Sequence, residues 1–351
     1  MGILRLLADY ADIVAVIHVI VLAAAATANF ADDTTATWAA AQLVHALWPY
    51  PTQFAETWQS SSWRAWEAET GGAQSLTLPE FAPGDDFLPN LAEPFIARGL
   101  LREKTLAEFG SCDWLTQPPV ADVVVDYFTD AGARQALVPD GRAPVGDVAK
   151  RILRGGREKL GTEQLFRHHP ALLDRLVAGI PELGRLFGSS HFQTRWLGST
   201  LTAVTFMAGG GRDVPADGPG VRTDLHAEPI GNVMLMLSGR KRWTLAPANA
   251  SKLLRPRLSP DGRAYFFCNR SWESRLDGVP HWEVETRAGD LLWVPTWTWH
   301  AVDYAPLGDD KAALSVSLFH FRAAQAVTAN WLFSALAVPN VLKEVIGWKT
   351  Q

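Results

Sequence analysis

Cysteine is nearly absent from this chain: Cys112 and Cys268 are the only two in 351 residues. So few thiols exclude a disulfide-stapled scaffold and any zinc centre built from several cysteines, leaving at most one bridge between the pair. An excess of positive charge is also lacking. The formal net charge is −5, and no basic block occurs, so neither a nucleic-acid footprint nor a nuclear-import run is present. No internal repeat or low-complexity tract interrupts the chain. Long hydrophobic runs are scarce too. The run 13–26 has 14 residues, broken only by His18, against the roughly 20 that a membrane-spanning helix needs. It leads into Ala26-Thr27-Ala28, a small-x-small pattern suited to cleavage before Asn29, so residues 1–28 are expected to be a secretory signal peptide. Asp9 and Asp12 offset Arg5, and extension through Phe30 gives about 18 residues, so an uncleaved membrane anchor is the alternative. The expected compartment is the endoplasmic reticulum lumen or the exterior, and Asn249-Ala250-Ser251 and Asn269-Arg270-Ser271 fit the glycosylation sequon.

What is present suits a globular protein. Hydrophobic residues make up 48% and charged residues 20%, enough for a sizeable core in one large or two small domains. Fifteen tryptophans are costly to bury unless each indole N–H finds an acceptor, so some are candidates for a cleft wall and others for core. Apolar spacing predicts helices over 34–48, 51–69 and 170–180, with Gly71-Gly72 ending the second. Strands are predicted over 120–128, 191–206, 264–268, 282–286, 289–294 and 313–321. A glycine- and proline-rich stretch over 209–220 reads as a loop, either a lid or a surface excursion. The resulting plan is a helical region over 29–115, a β domain over 116–322, and C-terminal helices over 323–351 that either pack on it or mediate a homodimer. About eight short strands without long crossover helices predict a mainly β fold with flanking helices, a double-stranded β-helix of the cupin or jelly-roll kind.

The chemistry concentrates in 223–247, TDLHAEPIGNVMLMLSGRKRWTLAP. His226 and Glu228 are two residues apart, so on a strand they share a face, where an imidazole and a carboxylate can grip one divalent metal. An apolar run over 232–237, a Ser238-Gly239-Arg240 turn and the run 241–245 read as a β-hairpin that returns Lys241 toward that pair. A buried ammonium there suits the far carboxylate of a small dianion. The third ligand is expected from His300 in GDLLWVPTWTWH, where a turn, a short apolar strand and a proline lead to the histidine.

This order of residues resembles the cupin-like branch of the JmjC family of iron and 2-oxoglutarate dioxygenases, nearest to its asparaginyl hydroxylases. The likeness covers 193–321, and the family's early strand followed by a short helix implies a helix over 145–153. It rests on Thr223 three before the first histidine, Asn232 six after it, Lys241 fifteen after it, the SGRKRW turn and the GDLLWVP-x-W-x-W-H segment. The resemblance implies that His226, Glu228 and His300 are the Fe(II) ligands and the catalytic centre. It implies that Lys241 and Thr223 hold the distal carboxylate of 2-oxoglutarate, with Asn232 supporting the co-substrate. Such an enzyme uses O2 and 2-oxoglutarate to hydroxylate a substrate, here expected to be a protein side chain, and releases succinate and carbon dioxide. Two positions depart from the pattern. Most relatives have aspartate where Glu228 stands, and the position of an asparagine on the closing strand is taken by Ser317, also expected to reach the co-substrate. Tyr127 and Tyr265 are both candidates for a co-substrate phenol. Trp293, Trp297 and Trp299 are candidates for a pocket wall or for core. The competing reading is a cupin-fold binding or scaffold protein without turnover, which Glu228 and Ser317 favour. A metal-dependent isomerase, or a dioxygenase that does not use 2-oxoglutarate, would leave Lys241 without a role.

Overall fold

The computed structural model describes residues 75–129, 139–188, 199–209, 221–254, 256–258, 265–268, 270–271, 274–304 and 311–322, with short pieces at 325–326, 329–330 and 333–334. The expected signal peptide, the helices over 34–48 and 51–69, most of the 209–220 loop, Asn269 and most of the C-terminal helices lie outside these residues.

In chain order the first elements are β1 (Glu80–Phe81), β2 (Phe95–Ala97), α1 (Glu103–Phe109), β3 (Val124–Phe128), β4 (Gly141–Pro144), α2 (Val145–Leu153) and β5 (Lys159–Thr162). Three short helices follow, α3 (Gln164–His168), α4 (Pro170–Ala178) and α5 (Pro181–Gly188), and then β6 (Ser199–Gly209), β7 (Arg222–Ala227), β8 (Ile230–Ser238) and β9 (Arg240–Ala246). The last are α6 (Ser251–Leu254), β10 (Pro256–Leu258), β11 (Phe266–Cys268), β12 (Trp282–Arg287), β13 (Leu291–Val294), β14 (Trp299–Asp303) and β15 (Ala312–Arg322).

The strands form two sheets. Nine of the described strands run in the order β1-β2-β13-β8-β15-β6-β5-β3-β4, and six in the order β10-β11-β7-β14-β9-β12. From β6 to β9, and again from β12 to β15, successive strands alternate between the sheets. The fold is therefore mainly β, with helices packed against one face of the nine-stranded sheet. Two strands of the nine-stranded sheet, β1 and β2, come from the region expected to be helical, and β2 pairs antiparallel with β13.

Three apolar clusters follow from strand alternation. Along β8, Val233, Leu235 and Leu237 join the cluster shared with Val148 and Ile152 of α2, while Met234 and Met236 point the other way. That second cluster lies between the sheets and takes Trp243 and Leu245 from β9, Trp282 and Val284 from β12, and Leu292 and Val294 from β13. Burial on both faces is why β8 is an unbroken apolar run rather than an alternating one. A third cluster covers the outer face of the six-stranded sheet. It includes Trp297, Trp299, Phe266 and, from the C-terminal pieces, Phe333, whose ring stacks on Phe266 with centroids 3.9 Å apart. At least this part of the C-terminal region packs on the β domain.

The hairpin expected over 232–245 does not exist. β8 is flanked by β13 and β15, and β9 by β14 and β12, so Gly239 carries the chain from one sheet to the other. Both edges of β8 are already paired, which leaves β9 no partner there. The two cysteines are both free, Cys112 buried in the helix-side cluster and Cys268 on β11. Within the Asn249 sequon, the buried Ser251 hydroxyl accepts a bond from Trp299 Nε1 at 2.8 Å and donates to the Ala248 carbonyl at 2.6 Å. No helix among the described residues is long and apolar enough to cross a membrane.

Gly239 sits at φ +70°, and a Cβ there would lie 2.3 Å from the Ala312 carbonyl oxygen, whereas Gly84, at φ +97°, has nothing within 4 Å. Gly84→Ala is expected to cost about 1–2 kcal/mol, the penalty of the left-handed conformation alone. Gly239→Ala must add a backbone clash and is expected to lower the thermal midpoint clearly further. Equal shifts for the two variants in thermal melts would contradict this crossing geometry.

Candidate metal centre and its cavity

His226 and His300 are brought together by direct pairing of β7 and β14. They are register partners, and their rings lie 4.2 Å apart between centroids. Between this pair and the next, Val302 with Thr223, β7 has three steps where β14 has two. The extra residue is a bulge, which re-aims side chains along one strand. It lets Thr223 and His226, an odd number of residues apart, both line the cavity. Glu228 lies just beyond β7, and its carbonyl accepts the amide of Trp297 at 2.8 Å. Trp297 holds φ +61°, and its indole N–H is fixed by the Ala326 carbonyl at 2.9 Å.

One donor atom from each of His226, Glu228 and His300 lies within 4.8 Å of the others, so the three could hold a metal ion. His226 Nε2 and Glu228 Oε1 are 3.3 Å apart. Each imidazole has its other nitrogen engaged: His226 Nδ1 lies 2.7 Å from the Asp224 carbonyl and His300 Nδ1 lies 3.0 Å from the Thr298 carbonyl. A carbonyl can only accept, so Nδ1 carries the proton and the Nε2 lone pair is left for a ligand. Burial, then the neighbouring His226, pushes the pKa of His300 down from 6.5 to about 4, against opposing pulls from Glu228 and the Thr298 carbonyl. Neutral imidazole is the form that binds a metal.

The cavity extends from this trio along the inner faces of both sheets and has a volume of about 170 Å³. His300 and Val302 share one face of β14, with Tyr304 one residue past its end, and Leu245 and Trp243 lie opposite on β9, followed on that strand by Lys241. Four residues of strand, about 13 Å, separate the trio's end from the lysine's end. There Lys241, 1% exposed, bonds to the Ser315 hydroxyl and lies 4.7 Å from the Tyr304 ring centroid. Burial, then the charge of Lys159, holds its pKa well below the ordinary lysine value. Burial likewise raises the Tyr304 phenol to about 12, so it stays protonated.

Every residue proposed for the metal and co-substrate lines this one cavity: His226, Glu228, His300, Lys241, Thr223, Asn232 and Ser317. Asn232 is buried, and its Oδ1 has no hydrogen-bond partner among the described residues. Such an orphaned acceptor costs free energy unless something in the cavity meets it. Ser317 reaches the cavity, but it is Ser315, one alternation earlier on β15, that accepts from Lys241. Of the two candidate phenols, Tyr265 lines the cavity, 5.9 Å from the His226 ring. Tyr127 packs under Arg151 instead, at 4.8 Å. None of Trp293, Trp297 and Trp299 reaches the cavity: the first faces the helix-side cluster and the others the outer cluster. Trp243 is the tryptophan in the wall.

Sequence reasoning missed Tyr304 and Lys159. Tyr304 was detectable, since it follows His300 and Val302 at the strand period. Lys159 stands in the short segment KLGT, far from the other site residues, with nothing local to mark it. No protein-family model matches the chain. No curated protein matches it either.

Two outcomes follow for the metal-free and metal-loaded protein. The unfolded chain protonates His300 near pH 6.5 and the folded chain only near 4. Its contribution to stability is therefore complete above the higher value and is lost as pH falls toward the lower. The thermal midpoint of metal-free protein should decline across that window, and less steeply in His300→Gln; identical slopes would contradict the assignment. Cobalt(II), titrated by visible absorption, should bind the wild type. His226→Ala and His300→Ala should each weaken it by ~100-fold or more, since losing even an outer partner of a ligand costs about 10–100-fold. Unchanged affinity in either variant would remove that residue from the ligand set.

Proposed function

We propose that the chain is an Fe(II)- and 2-oxoglutarate-dependent oxygenase that hydroxylates a substrate side chain, that of a protein by virtue of its resemblance to the asparaginyl-hydroxylase branch of the JmjC family. The observation that carries this reading is the buried Lys241 in the same cavity as the His226, Glu228 and His300 trio, about four strand residues away. A metal site alone fits many chemistries. A metal site facing a desolvated cation across a narrow cavity fits a short dicarboxylate that chelates at one end and is neutralised at the other. Two imidazoles and one carboxylate leave coordination positions for such a chelate and for O2, the arrangement of non-haem Fe(II) oxygenases. We also read the two facing sheets as a double-stranded β-helix, a reading supported by the alternation of successive strands between sheets.

The residues present fit these groups. His226, Glu228 and His300 would hold the iron, which when bound would supply the oxidative decarboxylation of 2-oxoglutarate coupled to substrate hydroxylation. Lys241 would bind the distal carboxylate, with Thr223 donating or accepting at the same end. Asn232 would donate from its amide nitrogen to the chelating end, while its buried Oδ1 would take a donor such as water or a substrate group. Phe206, Phe319, Trp243 and Val302 line the walls and exclude water from the charged ends. Burying the lysine in these walls strengthens its pull on an anion relative to the same pair in water. The extra methylene of Glu228 over aspartate is accommodated, because its carboxylate still comes within 3.3 Å of His226 Nε2. The leader-like residues 1–28 support a location in the secretory pathway, and amino-terminal sequencing of the mature protein tests that.

Under anaerobic conditions, Fe(II) and 2-oxoglutarate added together should give the visible charge-transfer band of a chelate, and His226→Ala should abolish it. With O2 and substrate, succinate should form in the wild type and not in that variant. Succinate formation unaffected by His226→Ala would overturn the reading. A chelate band without succinate would favour the alternative, a binding protein that keeps the pocket and has lost turnover.

A further inference from the structure

The cavity holds a second cation for which the oxygenase reading has no need. Lys159 extends from β5, in the nine-stranded sheet, while Lys241 extends from β9 in the other. Both line the same cavity. Lys159 Nζ bonds to the Thr223 hydroxyl and lies 5.0 Å from the Tyr304 ring centroid, where Lys241 Nζ lies 4.7 Å from the same ring. Two lysines thus converge on one tyrosine from opposite sheets. Gly161, the next residue on that face of β5, carries no side chain, and the Phe206 ring of the cavity wall takes that space, 2.9 Å from where a Cβ would lie.

Little nearby balances this charge. Glu163, the acid of the same segment, is engaged by Arg167 at 2.7 Å. Asp224 attracts Lys159 but sits next to the bulge, salt-bridged to Arg222 at 3.3 Å. Tyr304 stays a neutral phenol. Burial pushes Lys159 down to about 8, and its charge in turn depresses Lys241. A half-buried ammonium beside a fully buried one is costly unless an anion joins them.

We propose that Lys159 and Lys241 form a two-cation seat for the terminal anionic group of the cavity's ligand, each lysine facing one oxygen, with Lys159 a ligand-binding and specificity-determining residue of equal weight to Lys241. Thr223 and Ser315, which the lysines bond in its absence, are then the hydroxyls that complete the seat. The seat selects dicarboxylates over monocarboxylates of the same length, because a terminal methyl group would leave both cations unpaired. The inference shares its cavity with the oxygenase reading but does not rest on the metal.

The test is calorimetry on the full chain with two probes. The first is glutarate added to metal-free protein, which needs neither iron nor a 2-oxo group. The second is 2-oxoglutarate compared with 2-oxovalerate on Mn(II)-loaded protein. Losing one charge-assisted contact is expected to cost about 10–100-fold in affinity. Lys159→Met should therefore weaken glutarate and 2-oxoglutarate by that factor and leave 2-oxovalerate and Mn(II) unchanged, with Lys159→Arg recovering part of the loss. Unchanged glutarate binding in Lys159→Met, an equal loss for 2-oxovalerate, or no glutarate binding by the wild type would each overturn the inference. Lys159-dependent glutarate binding with no metal-dependent gain for 2-oxoglutarate would sustain the seat and count against the oxygenase reading alone.

Discussion

The pairing of β7 with β14 is the constraint on which the rest of the site depends. Register places the two histidines opposite one another, and the carbonyls of Asp224 and Thr298, each two residues before its histidine, fix both rings by Nδ1. Strand geometry thereby sets the separation, the tautomer and the aim of both imidazoles. The bulge then turns Thr223 into the same space, and the Trp297 amide anchors the backbone of Glu228. A one-residue slip of β7 would reverse the facing of its side chains and dismantle all of these contacts together.

A second constraint is dielectric. Charged side chains rarely sit between packed sheets unless something pairs with them. This cavity encloses Lys241 and Lys159 at one end and a carboxylate between two imidazoles at the other. Aromatic and aliphatic walls separate the ends, so neither neutralises the other. A carboxylate paired with the lysines would relieve the cost at their end, whereas the carboxylate at the other end calls for a cation such as a bound metal ion. Asn232 adds an acceptor that lacks a partner among the described residues, and a donor in the cavity would be needed to meet it.

Much of the β architecture could be read from local pattern. β12, β13 and β15 fall within a residue or two of the expected strands, and Val145–Leu153 is the helix that the resemblance implies. The asparagine, threonine and lysine flanking His226 share its cavity, as the motif suggested. The hairpin failed because a turn between two strands looks the same whether they pair or part into separate sheets; only the occupancy of the β8 edges by β13 and β15 decides it. The tryptophans before His300 failed as wall candidates because the proline and the left-handed Trp297 break the alternation on which their facing depended.

By itself the sequence determined the composition of the centre: two imidazoles, a carboxylate and a lysine at spacings that strand periodicity places on shared faces, together with a core large enough to bury them. Those are local properties, written in neighbouring residues. Only the tertiary structure decided which strands lie side by side. It set His300 against His226 and sent Lys241 across to the other sheet. It also brought Lys159, more than sixty positions before Thr223 in the chain, into contact with that threonine's hydroxyl. Contacts between distant segments depend on the packing of two whole sheets, and no short stretch of residues encodes that.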